Sequence, residues 1–198
     1  MPNGVVVLAS GQGTLLQALL DSSVKGQLIA VGSDAPDCAA LGRAEAADIP
    51  TFCVVLSPGM DRDRWDEALA SELRNWDPAW IVCAGFMRIL GPQVLSAFPD
   101  RIINSHPALL PAFPGAHAVR DALAYGAKVT GNTVHLVDAG VDTGPIIAQQ
   151  PVTVLAEDDE STLHERIKEV ERVLLVDVVQ QILTHGLKRE NRRVIVGG

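Results

Sequence analysis

The sequence predicts an α/β protein: Rossmann-like, with a mostly parallel twisted sheet, helices on both of its faces and an antiparallel C-terminal addition. Three observations predict it. Short β-branched apolar runs alternate with segments of helical periodicity, which is the pattern of βαβ units. The first run ends in a glycine turn that opens a helix. Later, residues 131–137 and 146–154 are two apolar runs with no helix between them, which reads as a hairpin.

Each element follows from its residues. Residues 5–9 are a strand that closes on Ser10-Gly11-Gln12-Gly13-Thr14, and Leu15, Leu16, Leu19 and Leu20 continue at helical spacing. Residues 28–31 and 51–56 read as strands, with a helix over 39–47 between them. Trp65, Leu69, Leu73 and Trp76 mark one helix face, and Pro78 stops that helix. Residues 79–84 form a buried strand, and a helix is expected to begin near Arg88. Residues 101–104 form the next strand, which enters a loop stiffened by Pro107, Pro111 and Pro114. A helix covers 117–125. The last helix spans 161–185, with Asp158, Asp159 and Glu160 at its positive end. Leu163, Ile167, Val170 and Leu174 give it an apolar stripe, and Gly186 closes it. The tail over 188–193 is basic and polar and reads as solvated.

Composition narrows the class. Hydrophobic residues at 47% can fill a core, and charged residues at 20% exclude a disordered polyelectrolyte. A net charge of −8 repels a polyphosphate, so no nucleic-acid partner is expected. No apolar run approaches the roughly 20 residues that span a bilayer, so no membrane partner is expected either. Met1-Pro2-Asn3-Gly4 lacks the basic start of a signal peptide. Cys38, Cys53 and Cys83 show no CxxC spacing, which argues against zinc and against a disulfide framework. A reduced, cytoplasmic setting and no metal are the expectation. No repeat or linker divides the chain, so one domain over residues 1–198 is expected. The sequence leaves a homodimer open.

Two segments carry chemistry. The glycine turn lets the backbone approach a ligand, and the helix behind it offers unpaired N–H groups to a phosphate. A plain strand–helix turn without a ligand fits the same residues. A dinucleotide site fits less well, because the third glycine and the P-loop lysine are missing, although Asp34 stands where a ribose contact would. The second segment is Asn104-Ser105-His106-Pro107 after a strand, with Asp142 in the glycine-bracketed Gly140-Val141-Asp142-Thr143-Gly144-Pro145. An asparagine amide can donate to an oxyanion, a histidine can donate or shuttle a proton, and a carboxylate can orient that histidine. Read singly, the histidine also suits a satisfied structural role and the aspartate a turn. Spacing does not show that they meet.

Ala84-Gly85-Phe86-Met87-Arg88-Ile89-Leu90, Ile103-Asn104-Ser105-His106-Pro107-Ala108-Leu109-Leu110-Pro111, residues 138–145, the turn at Ser10–Gly13 and the helical Lys168-Glu169-Val170-Glu171 resemble the phosphoribosylglycinamide formyltransferase family in order and gaps, over nearly the whole chain. The resemblance implies formyl transfer from 10-formyltetrahydrofolate, as co-substrate, to glycinamide ribonucleotide in purine biosynthesis. It implies that Asn104 and His106 stabilise the oxyanion, and that Asp142 holds His106 and a proton-relaying water. Gly13, Thr14 and Leu15 match the turn that receives the acceptor's phosphate. Lys168, Glu169, Val170 and Glu171 match a stretch on the same substrate, with Glu171 on the ribose hydroxyls. Arg62, Met87, Arg88, Ile89 and Leu90, with Asn104 and the loop Asp138, Ala139, Gly140, Val141 and Asp142, match the folate pocket. A phosphate-binding half over about 1–100, a folate-binding and catalytic half over about 101–198, and a cis Leu110–Pro111 bond are further implications.

Thr14-Leu15 departs from the Ser-Asn often found in the family. That keeps the N–H groups and removes a polar side chain. Methionyl-tRNA formyltransferase and formyltetrahydrofolate hydrolase share the core but carry additional domains, so the small-acceptor enzyme is favoured. A folate- or nucleotide-binding module would not need Asn104, His106 and Asp142 together.

Overall fold

The computed structural model describes residues 4–197. The ends of the expected domain, residues 1–3 and 198, lie outside them. The chain forms two compact units that divide after Ile103.

The first unit is the alternating one. Its elements are β1 (Val5–Leu8), α1 (Thr14–Leu20), β2 (Leu28–Ser33), α2 (Ala39–Ala46), β3 (Thr51–Cys53), α3 (Arg62–Trp76), β4 (Trp80–Cys83) and α4 (Pro92–Ala97). β1 pairs in parallel with β2 and β4, and β2 with β3. All four residues of β1 are buried, as expected of a central parallel strand, whose apolar run need not alternate. The order β3-β2-β1-β4 is the first part of a seven-stranded, mostly parallel sheet. Leu15, Leu16, Leu19 and Leu20 bury the inner face of α1. Gly13 is required at its start for two reasons: its φ is +69°, and a Cβ there would lie 2.8 Å from Ala40 Cα on α2.

Two expectations are corrected here. β3 ends at Cys53, not at residue 56. The Val54 carbonyl accepts the indole N–H of Trp65 at 2.8 Å, which draws the chain off the sheet toward α3. No helix begins near Arg88. Residues 87–90 are an irregular turn, and α4 starts only at Pro92. The reason is Asp66. This buried side chain of α3 accepts the Gly91 N–H at 2.7 Å and the Gln93 N–H at 2.8 Å, so it caps α4 from outside. Pro92 at the first helical position needs no acceptor.

The second unit holds the C-terminal part of β5 (Ile102–His106), followed by α5 (Ala118–Tyr125), β6 (Val129–Leu136), β7 (Ile146–Thr153), α6 (Glu160–His185), β8 (Leu187–Glu190) and β9 (Arg193–Val196). Here the main sheet runs β5-β6-β7, and β6 and β7 form the expected antiparallel hairpin. β5 is longer than expected and carries Asn104, Ser105 and His106 as strand residues. The Leu110–Pro111 bond is cis.

Asp159 and Thr162 form a reciprocal capping box at the start of α6. Asp158 binds Arg166 through both carboxylate oxygens at 2.6 Å. The buried stripe of α6 is Leu163, Ile167, Glu171, Leu175, Val178, Val179 and Ile182. Leu174, expected on it, is only partly buried, because the helix turns Leu175 inward instead. The stripe also contains a carboxylic acid. Residues 188–193 are exposed as expected, yet they are folded, paired as the β8–β9 hairpin. Arg192 ties that hairpin to the Thr143 carbonyl at 2.9 Å.

Asp66→Ala leaves the Gly91 and Gln93 N–H groups without this acceptor, in a part-buried setting. The expected cost is about 1–3 kcal/mol, to be measured as a lowered urea midpoint with an unchanged slope.

Candidate functional site

The period-2 alternation of β5 divides its polar residues between two faces. Asn104 and His106 share one face and Ser105 lies on the other. On the Asn104 face, the loop after β6 supplies Asp142. Its shape is set by glycines and one aspartate. A Cβ on Gly140 would collide with the Thr143 side chain, and one on Gly144 with the Leu136 carbonyl. Asp138 Oδ1 accepts the Gly140 N–H at 3.1 Å and the Thr143 hydroxyl at 2.6 Å. Asp142 itself stands in the left-handed region at φ +53°. Its Oδ2 accepts the Gly115 N–H at 2.8 Å and lies 3.3 Å from His106 Nδ1. Its Oδ1 lies 3.6 Å from His135 Nε2. His135 Nε2 is in turn 3.3 Å from the Asn104 amide nitrogen. The predicted trio therefore does assemble, with Asn104 linked to the other two through His135.

The electrostatics are mixed in sign. Burial pushes the His106 imidazole below its ordinary value, against the opposing pull of the Phe113 carbonyl and Asp142. Burial would raise Asp142. Its contacts with His135, the Gly115 N–H and His106 outweigh that, and the carboxyl stays below its usual range. His106 Nε2 lies 2.8 Å from the Phe113 carbonyl, which can only accept, so Nε2 carries the hydrogen. In the neutral ring, Nδ1 then presents a lone pair to the Asp142 carboxylate. Nδ1 and Oδ2, 3.3 Å apart, are thus two acceptors side by side, with room to hold one proton between them.

On the opposite face, Ser105 Oγ donates to Glu171 Oε1 at 2.8 Å, and the Asn132 amide reaches Ser105 Oγ at 3.0 Å and Glu171 Oε1 at 3.3 Å. Burial raises the Glu171 carboxyl. The other residues expected beside it behave differently. Lys168 pairs with Glu165 at 2.7 Å, Glu169 is exposed, and Val170 packs against Val119, Val152, Leu163 and Ile167.

In the first unit, Gly13, Thr14 and Leu15 open α1, and no side chain caps the N-terminus. Thr14 is exposed. Leu15 is buried in the core, so only its backbone N–H can face a ligand. Met87 and Ile89 are 75% and 64% exposed and Leu90 is buried, which splits the expected apolar wall. Arg88 is committed elsewhere, with its Nε 2.6 Å from Asp34 Oδ2. Asp34 Oδ1 accepts the Ser10 hydroxyl at 2.5 Å, and Ser10 Oγ accepts the Met87 N–H at 2.8 Å. Arg62 donates to the Ile89 carbonyl at 2.6 Å and lies over the Trp65 ring. Asp34, set aside in the sequence as a weak ribose contact, is thus the link between the glycine turn and the exposed wall.

Sequence reasoning missed His135, Ser105 and Asn132. For Asn132 and His135 the signal was polar side chains within the strand run 131–137, and for Ser105 a hydroxyl between Asn104 and His106. Among the described residues, no helix is long and apolar enough to cross a membrane, and no cluster of three or more His, Cys, Asp or Glu could hold a metal ion.

Comparison with known proteins gives the class. A family model described as formyl transferase matches residues 3–179, and the chain belongs to the formyl transferase family. It is 56% identical to a phosphoribosylglycinamide formyltransferase of Mycobacterium tuberculosis, across 99% of this chain and 92% of that one. It is 36% identical to a protein of the same name from Escherichia coli, across 98% and 93%. A crystal structure of glycinamide ribonucleotide transformylase 1 from Symbiobacterium toebii superposes with a TM-score of 0.93 at 40% identity, covering 98% of this chain and 93% of that one.

His106 is expected to titrate below about 6.5 when followed by NMR. Its folded value lies below its unfolded one, so the unfolded chain binds the proton more tightly. Stability should fall as pH drops from about 6.5 through the folded value. His106→Gln should remove that part of the slope.

Proposed function

We propose that the chain transfers the formyl group of 10-formyltetrahydrofolate to the amine of N1-(5-phospho-D-ribosyl)glycinamide, a step of de novo purine synthesis in the cytoplasm, with small molecules as its only substrates. The observation that carries this reading is the convergence of Asn104, His106 and Asp142, in a chain similar along its whole length to proteins named for that reaction.

The chemistry follows from the site. The acceptor's amine attacks the formyl carbon, and the carbonyl oxygen gains negative charge. The Asn104 amide donates to it. His106 Nε2–H does the same once it leaves the Phe113 carbonyl. The attacking nitrogen sheds a proton, and the gap between His106 Nδ1 and Asp142 Oδ2 receives it, by way of a water held by Asp142. The C–N10 bond then breaks and the same proton returns to the leaving folate nitrogen, so the cycle needs no covalent enzyme intermediate.

Other residues bind. The N–H groups of Gly13, Thr14 and Leu15 hold the acceptor's phosphate, which an acidic protein can do locally at a helix start. Glu171 holds the ribose hydroxyls, with Lys168, Glu169 and Val170 forming the helix around it. Exposed Met87 and Ile89, with Leu90 behind them, line the pterin slot. Arg88 serves it through its backbone, since its guanidinium is held by Asp34. Arg62 steadies the wall through Ile89. Backbone groups of Asp138, Ala139, Gly140, Val141 and Asp142 meet the pterin edge, because the Asp138 carboxylate is already used inside its own loop. The first unit is thus the phosphate-binding half, and the second supplies catalysis and most of the folate contacts.

Incubation with 10-formyltetrahydrofolate, with and without the acceptor, tests the reading by absorbance and product analysis. Formyl loss that requires the acceptor is expected, and loss without it would identify a hydrolase instead. Asp142→Asn should fold normally and lose about 10²–10⁴ in turnover. Wild-type turnover in that variant would remove Asp142 from the proton path. An acceptor lacking its phosphate should bind far more weakly, as read by calorimetry.

A further inference from the structure

We propose that His135 is a positioning residue: it fixes which way the Asn104 amide faces, so that an N–H rather than the carbonyl oxygen meets the developing oxyanion. The proposal rests on the transfer reaction proposed above.

An asparagine amide is nearly symmetric in shape, so sterics do not choose between its two orientations; hydrogen bonds do. In one orientation Asn104 presents donors to the reacting carbonyl. In the other it presents an oxygen, which repels the charge that the transition state builds. The structure contains a device that selects the first.

His135 is buried, 2% exposed, on β6. Its Nδ1 is 2.8 Å from the Leu136 carbonyl. A carbonyl only accepts, so Nδ1 carries the ring hydrogen. In the neutral ring, Nε2 is then an acceptor with a fixed lone pair. That lone pair lies 3.3 Å from Asn104 Nδ2. The Asp142 Oδ1 also stands near Nε2, at 3.6 Å, but it lies farther than the amide and as a carboxylate has no hydrogen to offer. Among the described residues, Asn104 is the group at hydrogen-bond distance that can offer Nε2 a hydrogen. It does so with one amide hydrogen, leaving the second free. Turning the amide over would set Oδ1 against the Nε2 lone pair, leaving the buried imidazole nitrogen unsatisfied. The Leu136 carbonyl thus determines the histidine tautomer, and the tautomer determines the asparagine.

Three measurements on the full-length enzyme test this. The first is the ¹⁵N spectrum of the His135 ring at neutral pH, which should show hydrogen on Nδ1; hydrogen on Nε2 would overturn the proposal. The second compares two variants with matched folding checks. His135→Leu should lower kcat about 10- to 10³-fold, the scale of losing one oxyanion donor, with KM changed less than about threefold. His135→Gln keeps an accepting oxygen near the Nε2 position and should recover most of the lost turnover. An unchanged kcat in His135→Leu, or equal losses in both variants, would overturn the proposal. If His135→Leu does not fold, the ring spectrum and the turnover of His135→Gln decide. The third is a cycle with Asn104→Ala. In that background His135→Leu should cost nothing further, and full additivity would show that His135 acts by another route. Absence of transfer in the wild-type enzyme would instead defeat the underlying reaction, an outcome separable from all of these.

Discussion

The half-buried carboxylate of Asp142 is the constraint on which the second unit's site depends. A carboxylate removed from water must be paired or hydrogen-bonded, or it takes up a proton. Here the Gly115 N–H binds it directly and two imidazoles flank it, and these three partners come from three separate segments of chain. Asp142 therefore ties together the loop after β5, the end of β5 itself and the end of β6. The left-handed backbone of Asp142 and Phe113 is tolerated because these bonds over-determine it.

The first unit solves a similar problem with different groups. Its exposed wall at Met87–Leu90 has little apolar packing of its own, since Met87 and Ile89 face outward. Side chains from ordered elements hold it by its backbone. Ser10 takes the Met87 N–H, Arg62 the Ile89 carbonyl and Asp66 the Gly91 N–H. Asp34 joins Ser10 to Arg88 within the same set. Met87 and Ile89 thereby stay exposed while the polar backbone beneath them is satisfied.

The legible part of the sequence was the part governed by periodicity. The β1 run, the leucines of α1, the Trp65–Leu73 face and the β6–β7 hairpin all follow from spacing, because burial of one face dictates it. The misread parts were decided by contacts distant in sequence. α4 waits for Pro92 because Asp66, a side chain of another helix, supplies its cap. Glu171 occupies a stripe that spacing reserves for leucine, because Ser105 and Asn132 receive it. Arg88 was named for the pocket through a resemblance, and spacing does not show that Asp34 holds its guanidinium. Asn104, His106 and Asp142 were named through a resemblance, and their spacing alone does not show that they meet. His135 escaped notice because a histidine in a β-strand run looks like any buried polar residue until its two nitrogens are assigned.

That assignment also explains why two histidines sit on one aspartate without duplicating each other. Both rings have one nitrogen committed to a backbone carbonyl, but to opposite ends. His106 spends Nε2 on Phe113 and turns Nδ1 toward Asp142; His135 spends Nδ1 on Leu136 and turns Nε2 toward Asn104. The first ring therefore offers a proton vacancy next to a carboxylate, and the second offers an acceptor to an amide. Burial pushes the His106 imidazole below its ordinary value, which in the proposed transfer leaves Nδ1 open to the proton that the attacking amine loses. Two residues of one type acquire different work from nothing more than which nitrogen a carbonyl oxygen claims.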